Sequence, residues 1–180
     1  GPTFRAENSN TKTHTSEFWM IEPEMAFTDL NGDMEVMEGM LKYVVKYVLE
    51  NAASEIEFCD KFVSHGLIEK LTRLINSDFV RIDHKDVITI LKEAKVDWEF
   101  VPEYGEDIAK EHEKYITEYF NGPVFIKNWP KDIKAFYMKQ NDDGKTVAAV
   151  DLEVPGAGEL MGGSQREENM DKLLARMAEV

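Results

Sequence analysis

The chain contains little cysteine, no long apolar run and few basic residues relative to acidic ones. Cys59 is the single cysteine, so no disulfide can form within the chain, and a zinc site would depend on the four histidines. A lone thiol favours a reducing setting. No apolar run approaches the roughly 18 residues of a membrane span, and the opening Gly-Pro-Thr-Phe-Arg has no signal-peptide pattern. We therefore expect a cytoplasmic protein without membrane contact.

Acidic residues outnumber basic ones by 35 to 21, which gives a formal net charge of −14. This charge argues against wholesale wrapping of nucleic acid or adhesion to an anionic membrane, although a local basic face is still possible. Hydrophobic residues make up 43% of the 180 and charged residues 31%. Disorder, collagen-like repeats and a disulfide-held mini-protein are thereby excluded, and the length is that of about one domain.

Hydrophobic periodicity divides the chain into strand-rich ends around a helical middle. Two extended segments, Phe4 to Glu7 and Glu17 to Phe27, open the chain. The helices are predicted at 33–50 (with Asp33 as N-cap), about 54–76, 84–94 and 106–120, and at the C-terminus. The strands are predicted at 124–126, 135–140, 146–154 and 158–165, with a turn at 141–144. We therefore predict an α+β fold in which an antiparallel β-sheet is flanked by helices.

A few residues in the strand-rich ends have the chemistry of a binding site. Arg5 and Glu7 are two apart and would face the same way on a strand. The guanidinium suits a phosphate or carboxylate and the carboxylate can accept from an amine, although a surface ion pair is the alternative. Asp151 and Glu159 could together hold Mg²⁺, or be simple turn and edge residues.

Glycines and lysines in the last third of the chain add two further indications. The pair Gly162-Gly163 within a strand predicts that the backbone comes close to another group there, and Arg166 follows it. Lysines recur at 127, 131, 134 and 139, which fits a solvated strand face or a local basic surface. From the residues alone, the prediction is a nucleotide-like or anionic ligand bound on a sheet.

Longer strings carry a family resemblance. GPTFRAENSNT at 1–11, with His14 and EFWMIEPE at 17–24, closely resembles motif 2 of the class II aminoacyl-tRNA synthetases, in the form found in the asparaginyl enzymes. NWPKDIKAFYMK at 128–139 and the segment 150–168 resemble the same aspartyl/asparaginyl subclass, in the same order. The resemblance implies an incomplete class II catalytic core.

The resemblance implies a site for ATP and Mg²⁺. Arg5 resembles the motif 2 arginine that holds the α-phosphate and the amino-acid carboxylate, and so stabilises charge in the transition state. Glu7 would accept from the adenine amine, and Phe18 would stack on adenine. His14 would lie near the phosphates or the tRNA end. Glu159 matches the Mg²⁺-binding carboxylate, with Asp151 as a weaker partner.

The resemblance also implies a pocket for L-asparagine. Arg166 matches the arginine that donates to the side-chain carbonyl of the substrate, and Lys134 and Tyr137 fall at further pocket positions. Glu22 stands where the aspartyl relatives have an aspartate. An amide can donate to Glu22, whereas a second carboxylate would be repelled, so this residue favours asparagine over aspartate.

The expected domain organisation is a partial catalytic domain over residues 1–180. Motif 2 occupies 1–28, a helical block about 30–120, and the amino-acid and ATP–Mg²⁺ strands about 122–168. Motif 1 and the anticodon-binding domain would precede this chain and motif 3 would follow it, so we expect the chain alone to be weakly active or inactive. Thr13 stands where many relatives have arginine, although Lys12 precedes it. The partners implied are ATP, L-asparagine, the acceptor end of tRNA(Asn) and, in the full-length protein, a second subunit of a homodimer.

Other functions share most of these motifs. An aspartyl-tRNA synthetase of relaxed tRNA specificity and an aspartate–ammonia ligase are two enzymatic alternatives. A non-catalytic synthetase paralogue that keeps the pocket is the third. Comparing exchange with aspartate and asparagine, and testing tRNA charging, would distinguish these alternatives.

Overall fold

The computed structural model describes residues 1–6 and 14–180. The strands are β1 (Pro2–Phe4), β2 (Glu17–Trp19), β3 (Val80–Asp83), β4 (Val124–Pro130), β5 (Thr146–Val154) and β6 (Gly158–Ser164). The helices are α1 (Leu30–Asn51), α2 (Ala53–Phe62), α3 (Leu67–Asn76), α4 (His84–Glu93), α5 (Lys110–Tyr119) and α6 (Met170–Glu179). No helix within the described ranges is both long and apolar enough to cross a membrane.

The strands form two sheets. β1 and β2 make an antiparallel pair, and a four-stranded sheet has the order β3-β4-β5-β6. β4, β5 and β6 pair antiparallel, which confirms the predicted α+β fold. β3 was not predicted from the sequence, and it pairs parallel with β4, so the larger sheet is mixed rather than purely antiparallel. The parallel pairing follows because α4 and α5 cross over between the two strands.

Both faces of the larger sheet are covered by helices. Met34, Met37 and Leu41 of α1 pack on one face, against alternate residues of β5 such as Val150 and Leu152. α4 and α5 cover the opposite face. Burial on both sides explains why the residues from Val147 to Val154 are all buried. The sheet is therefore a rigid platform, and its β6 edge carries site residues.

Two helix predictions need correction. α1 begins at Leu30 because the Asp29 carboxylate caps it, accepting the Gly32 N–H at 2.9 Å, so Asp33 is a first-turn residue and not the N-cap. The helix predicted over 54–76 is two helices, α2 and α3. Gly66 lies between them with φ +79°, a left-handed conformation that ends a continuous helix.

Three other segments differ from the expectation. Residues 135–140 are not a strand, because a 3₁₀ turn at Lys131–Ile133 precedes them and they bridge to neighbours only at Met138 and Gln140. The helix expected from 106 begins at Lys110. Of the extended segment 17–27, only β2 pairs with another strand.

The β5–β6 hairpin contains the irregularity that matters most for function. Leu152 pairs with Met161, but Glu153 pairs with Glu159, so Leu160 is an extra residue. This bulge interrupts the two-residue alternation of side chains along β6. As a result, the Glu159 carboxylate lies beside Gly162 on the Asp151 face, not on the α1 face with Met161.

Candidate functional site

An open cleft of about 1770 Å³ lies between the β1–β2 pair, α1 and β6. Its lining includes six of the residues predicted from the sequence: Arg5, His14, Phe18, Glu22, Glu159 and Arg166. The floor is apolar and comes from α1. Residues more than 140 positions apart therefore meet in one site. Of the other predicted residues, Glu7 lies outside the described residues, and Lys134, Tyr137 and Asp151 lie beside the cleft without lining it.

The β1–β2 pair brings Arg5 and Phe18 together. Phe18 is opposite Thr3 in the register, and Arg5 follows directly after β1. The Arg5 N–H donates to the Ser16 carbonyl at 3.0 Å, which extends the pairing by one residue. The Arg5 guanidinium lies 5.4 Å from the centre of the Phe18 ring. A cation and an aromatic platform are thus adjacent on one wall of the cleft.

Arg166, which follows β6, also lines the cleft and is held in place by three contacts. Its guanidinium donates to the Glu24 carboxylate at 2.5 Å and lies 4.7 Å from the centre of the Tyr137 ring. The Ser164 hydroxyl accepts from the same guanidinium at 3.0 Å. The hydrogen bond and charge of Arg166 lower the pKa of Glu24, so this carboxylate stays ionised.

Glu22 and Glu24 lie two residues apart on the segment after β2, and both line the cleft. The pairing of Arg166 with Glu24 was not predicted from the sequence. It leaves Glu22 as an exposed carboxylate of the same cleft. A ligand here would meet a guanidinium, which donates hydrogen bonds, and a carboxylate, which accepts them. A carboxamide complements both, because its oxygen accepts and its NH₂ donates.

Asp151 and Glu159 face each other across the bare Cα of Gly162. A Cβ at Gly162 would lie 3.2 Å from an Asp151 oxygen and 3.3 Å from a Glu159 oxygen. A side chain at 162 would press on both carboxylates, which would have to move by a few tenths of an ångström, so the close approach predicted at 162–163 is confirmed. Gly163 makes the corresponding approach on the other face, where a Cβ would lie 2.5 Å from an Asp33 oxygen.

Burial raises the pKa of both Asp151 and Glu159. For Glu159, the charge of Asp151 raises the pKa further. For Asp151, which is 8% exposed, the charge and hydrogen bond of Lys134 oppose the effect of burial. Carboxylates so disposed are stabilised in their ionised form by an added cation.

Lys134 supplies part of that positive charge. Its ammonium donates to an Asp151 oxygen at 2.7 Å and lies 4.0 Å from the centre of the Trp129 ring. The lysines at 127, 131 and 139 likewise pair with carboxylates, those of Asp83, Glu179 and Glu168. Each of the four lysines thus has a carboxylate beside it, which reduces the positive potential that they present.

The space around Gly162 fits Mg²⁺, because two hard oxygen ligands meet where no side chain intervenes. Within residues 1–6 and 14–180, no three Asp, Glu, His or Cys side chains converge closely enough to hold a metal ion. Mg²⁺ commonly binds through one or two carboxylates and takes its remaining ligands from water and substrate phosphates. The pair Asp151 and Glu159 suits that mode.

Several residues of the site were missed in the sequence. Glu113 of α5 and Glu153 of β5 lie beside Glu159 and are 6% and 3% exposed. The contact of Glu113 with Glu159 depends on how α5 packs on the sheet, and that of Glu153 depends on the bulged register of β5 with β6. The two-residue spacing of Glu24 from Glu22 predicts that both carboxylates share one face, but nothing in the sequence indicates that Glu24 pairs with Arg166.

Comparison with known proteins agrees with this geometry. The sequence model of the family described as tRNA synthetases class II (D, K and N) matches residues 1–180. The asparagine–tRNA ligase of Acholeplasma laidlawii is 64% identical over 181 residues, covering 100% of this chain and 39% of that protein. The chain therefore belongs to the class II tRNA synthetases of the D, K and N group.

Solved structures show the same likeness. Asparaginyl-tRNA synthetase from Pyrococcus horikoshii, complexed with asparaginyl-adenylate, is 39% identical with a TM-score of 0.87, over 99% of this chain and 39% of that one. Aspartyl-tRNA synthetase from Entamoeba histolytica is 25% identical with a TM-score of 0.78, over 99% of this chain and 36% of that one. The chain thus spans about two fifths of the length of these relatives, with greater identity to the asparaginyl enzymes.

Proposed function

We propose that the chain is part of an asparagine–tRNA ligase, and that its cleft binds ATP and asparagine and forms asparaginyl-adenylate. The full-length protein would then transfer asparagine to the acceptor end of tRNA(Asn). One observation supports this most: Arg5, Glu22 and Arg166, which come from opposite ends of the chain, line the same cleft. The 64% identity to an asparagine–tRNA ligase supports the same proposal. A cytoplasmic location and a homodimeric full-length protein accompany it as expectations.

ATP would lie along the wall formed by the β1–β2 pair. Phe18 would stack on the adenine and Arg5 would bind the α-phosphate, in keeping with their adjacency. Glu7 would accept from the adenine amine, and His14 would lie near the phosphates or the tRNA end. Asp151 and Glu159 would hold Mg²⁺, which when bound would neutralise charge on the phosphates.

Asparagine would lie between Glu22 and Arg166. Its side-chain amide N–H would donate to Glu22 and its carbonyl would accept from Arg166, whose guanidinium is fixed by Glu24 and Tyr137. Lys134, which pairs with Asp151 beside this pocket, and Tyr137 would be further residues of the amino-acid pocket. Because Glu22 carries a negative charge, a substrate with a second carboxylate would be repelled.

The proposed reaction requires no covalent enzyme intermediate. A carboxylate oxygen of asparagine attacks the α-phosphorus of ATP, the bond from that phosphorus to the bridging oxygen breaks, and pyrophosphate leaves. Arg5 would stabilise the charge that develops on the α-phosphate oxygens. The rest of the site contributes by holding the two substrates in line.

The experiment is ATP–pyrophosphate exchange by the full-length protein, with asparagine and aspartate in turn. We expect asparagine to be preferred by about 100-fold or more, since juxtaposed like charges cost several kcal/mol. Glu22→Gln should reduce this preference by about 10-fold or more, because the repulsion of aspartate is lost. Glu57→Gln, at an exposed position on α2, is the matched control.

Each alternative function has its own outcome. Preference for aspartate would contradict the proposal and indicate an aspartyl enzyme. Consumption of aspartate and ammonia without tRNA charging would indicate an asparagine-forming ligase. Binding of ATP and asparagine without exchange would indicate a non-catalytic paralogue.

A further inference from the structure

Glu113 of α5 is an almost fully buried carboxylate that contacts the start of β6. It is 6% exposed, although most glutamates of the chain are at the surface. Its Oε2 accepts the backbone N–H of Glu159 at 3.3 Å. The same oxygen lies against Gly158, so closely that a Cβ there would overlap it. Glu113 therefore touches the backbone of the residue that the proposed function assigns to Mg²⁺.

Lys110 completes this contact. Its ammonium lies 2.8 Å and 2.9 Å from the two oxygens of Glu113, one helical turn away. Burial works to lower the pKa of Lys110, but the hydrogen bond and charge of Glu113 raise it overall. The ion pair compensates the charge of Glu113, which would otherwise be costly to bury. Glu113 is thus held in one orientation from its own helix.

The contact acts at the point where the sheet is irregular. The Leu160 bulge turns the Glu159 side chain toward Asp151, and Gly158, immediately before, adopts φ +80°. In a bulge the ladder hydrogen bonds are disrupted, so the conformation depends on other contacts. The Glu113 carboxylate supplies one such contact from outside the sheet.

Resting on the proposed function, we infer that Glu113, supported by Lys110, is a positioning residue that fixes Glu159 of the Asp151–Glu159 pair for divalent-cation binding. Glu113 acts through the backbone of Glu159 and does not touch the substrate. Loss of such an outer partner typically weakens metal affinity or activity by about 10–100-fold.

The test uses the full-length protein and two variants of the same residue. Glu113→Ala removes the acceptor for the Glu159 N–H, whereas Glu113→Gln keeps an acceptor oxygen and loses the charge. Two quantities are measured: the half-saturating Mg²⁺ concentration for asparagine-dependent exchange, and the affinity for Mn²⁺ by electron paramagnetic resonance with a non-hydrolysable ATP analogue. Glu118→Gln, on the same helix but exposed, is the control.

We expect Glu113→Ala to weaken both cation measurements by about 10-fold or more and Glu113→Gln to weaken them less. The KM for asparagine should change little, because Glu22 and Arg166 lie on other elements. Cation measurements within about 2-fold of the native values in folded Glu113→Ala would overturn the inference. So would an equal change in the KM for asparagine, which would indicate general disorder. If Glu113→Ala fails to fold, Glu113→Gln must still weaken Mn²⁺ binding more than Glu118→Gln does.

Failure of the inference is distinguishable from failure of the proposed function. Absence of asparagine-dependent exchange in the native protein contradicts the function. Normal exchange that requires Mg²⁺ and depends on Glu159, with no effect of Glu113→Ala, contradicts only the role of Glu113.

Discussion

Glu153 offers the sharpest test of the electrostatics beneath the cleft. It lies on β5, it is 3% exposed, and its Oε2 has no hydrogen-bond partner in the described part of the chain. Burial, followed by the charges of Glu113, Glu159 and Asp151, raises the pKa of Glu153 from 4.5 to about 8. The folded protein therefore holds a proton on this carboxyl at pH values where the unfolded chain has lost it.

The sign of the effect on stability follows from that difference. Below pH 4.5 both states are protonated, and stability is complete. As pH rises from 4.5 to about 8, the unfolded chain is increasingly favoured, because only the folded state must hold the carboxyl protonated or bury its charge. Over about pH 5.5 to about pH 8.5, this corresponds to about 3 kcal/mol of lost stability.

Glu153→Gln should remove this pH dependence, because an amide is neutral throughout the range. Between the two pH values, the free energy of unfolding of the native protein should fall by about 3 kcal/mol more than that of Glu153→Gln, so the Tm of the native protein should fall further. Calorimetry of the full-length proteins measures this, with Glu57→Gln as an exposed control. Parallel decreases of Tm in native protein and Glu153→Gln would refute the argument.

Three further substitutions test other parts of the structure. Gly162→Ala should raise the half-saturating Mg²⁺ concentration for exchange by about 10-fold or more while changing Tm little, because its Cβ would enter the space between Asp151 and Glu159. An unchanged Mg²⁺ requirement would contradict the proposed metal position. His84→Phe should be at least as stable as the native protein at neutral pH, since within the described ranges neither buried ring nitrogen of His84 makes a hydrogen bond of normal geometry, although the Glu106 backbone lies nearby, and the ring packs on Trp129 at 4.5 Å. Burial lowers the pKa of His84 to about 4, so the native protein loses stability as pH falls from 6.5 toward 4. Between about pH 7 and about pH 5, the free energy of unfolding of His84→Phe should fall by about 2 kcal/mol less than that of the native protein, and thermal unfolding at the two pH values measures this. Arg176→Met should destabilise α6 by about 2 kcal/mol, because the buried guanidinium donates to the Lys131 carbonyl at 2.9 Å. Proteolysis near the C-terminus should then be faster than in the native protein. Equal proteolysis rates would exclude a role of Arg176 in stabilising α6.

Much of the fold was predictable because hydrophobic periodicity is local. β5 and the core face of α1 were read directly from the spacing of their apolar residues. β3 was missed because four residues contain too little pattern, and its place depends on parallel pairing with β4. The break at Gly66 and the true N-cap at Asp29 were missed because several nearby residues offered equally good helix boundaries.

The candidate site was predictable to the extent that motif strings carry it. Arg5, Phe18, Glu22 and Arg166 were named from the sequence and line one cleft. Glu113 was not found because its role exists only through packing of α5 against the β5–β6 hairpin. Contacts between residues 46 positions apart leave no signal in either local segment.

The extra residue in β6 determines which pairing of this strand keeps Glu159 beside Asp151. Were β6 to pair regularly with Leu160 retained, Glu159 would rotate to the opposite side of the sheet, among the apolar side chains below α1. Removal of Leu160 leaves Glu159 opposite Glu153 on the Asp151 face, and a substitution of this exposed side chain also leaves that geometry in place. In related sequences and in engineered variants, we therefore expect loss or exchange of residue 160 to be better tolerated than changes that remove the bulge while keeping Leu160.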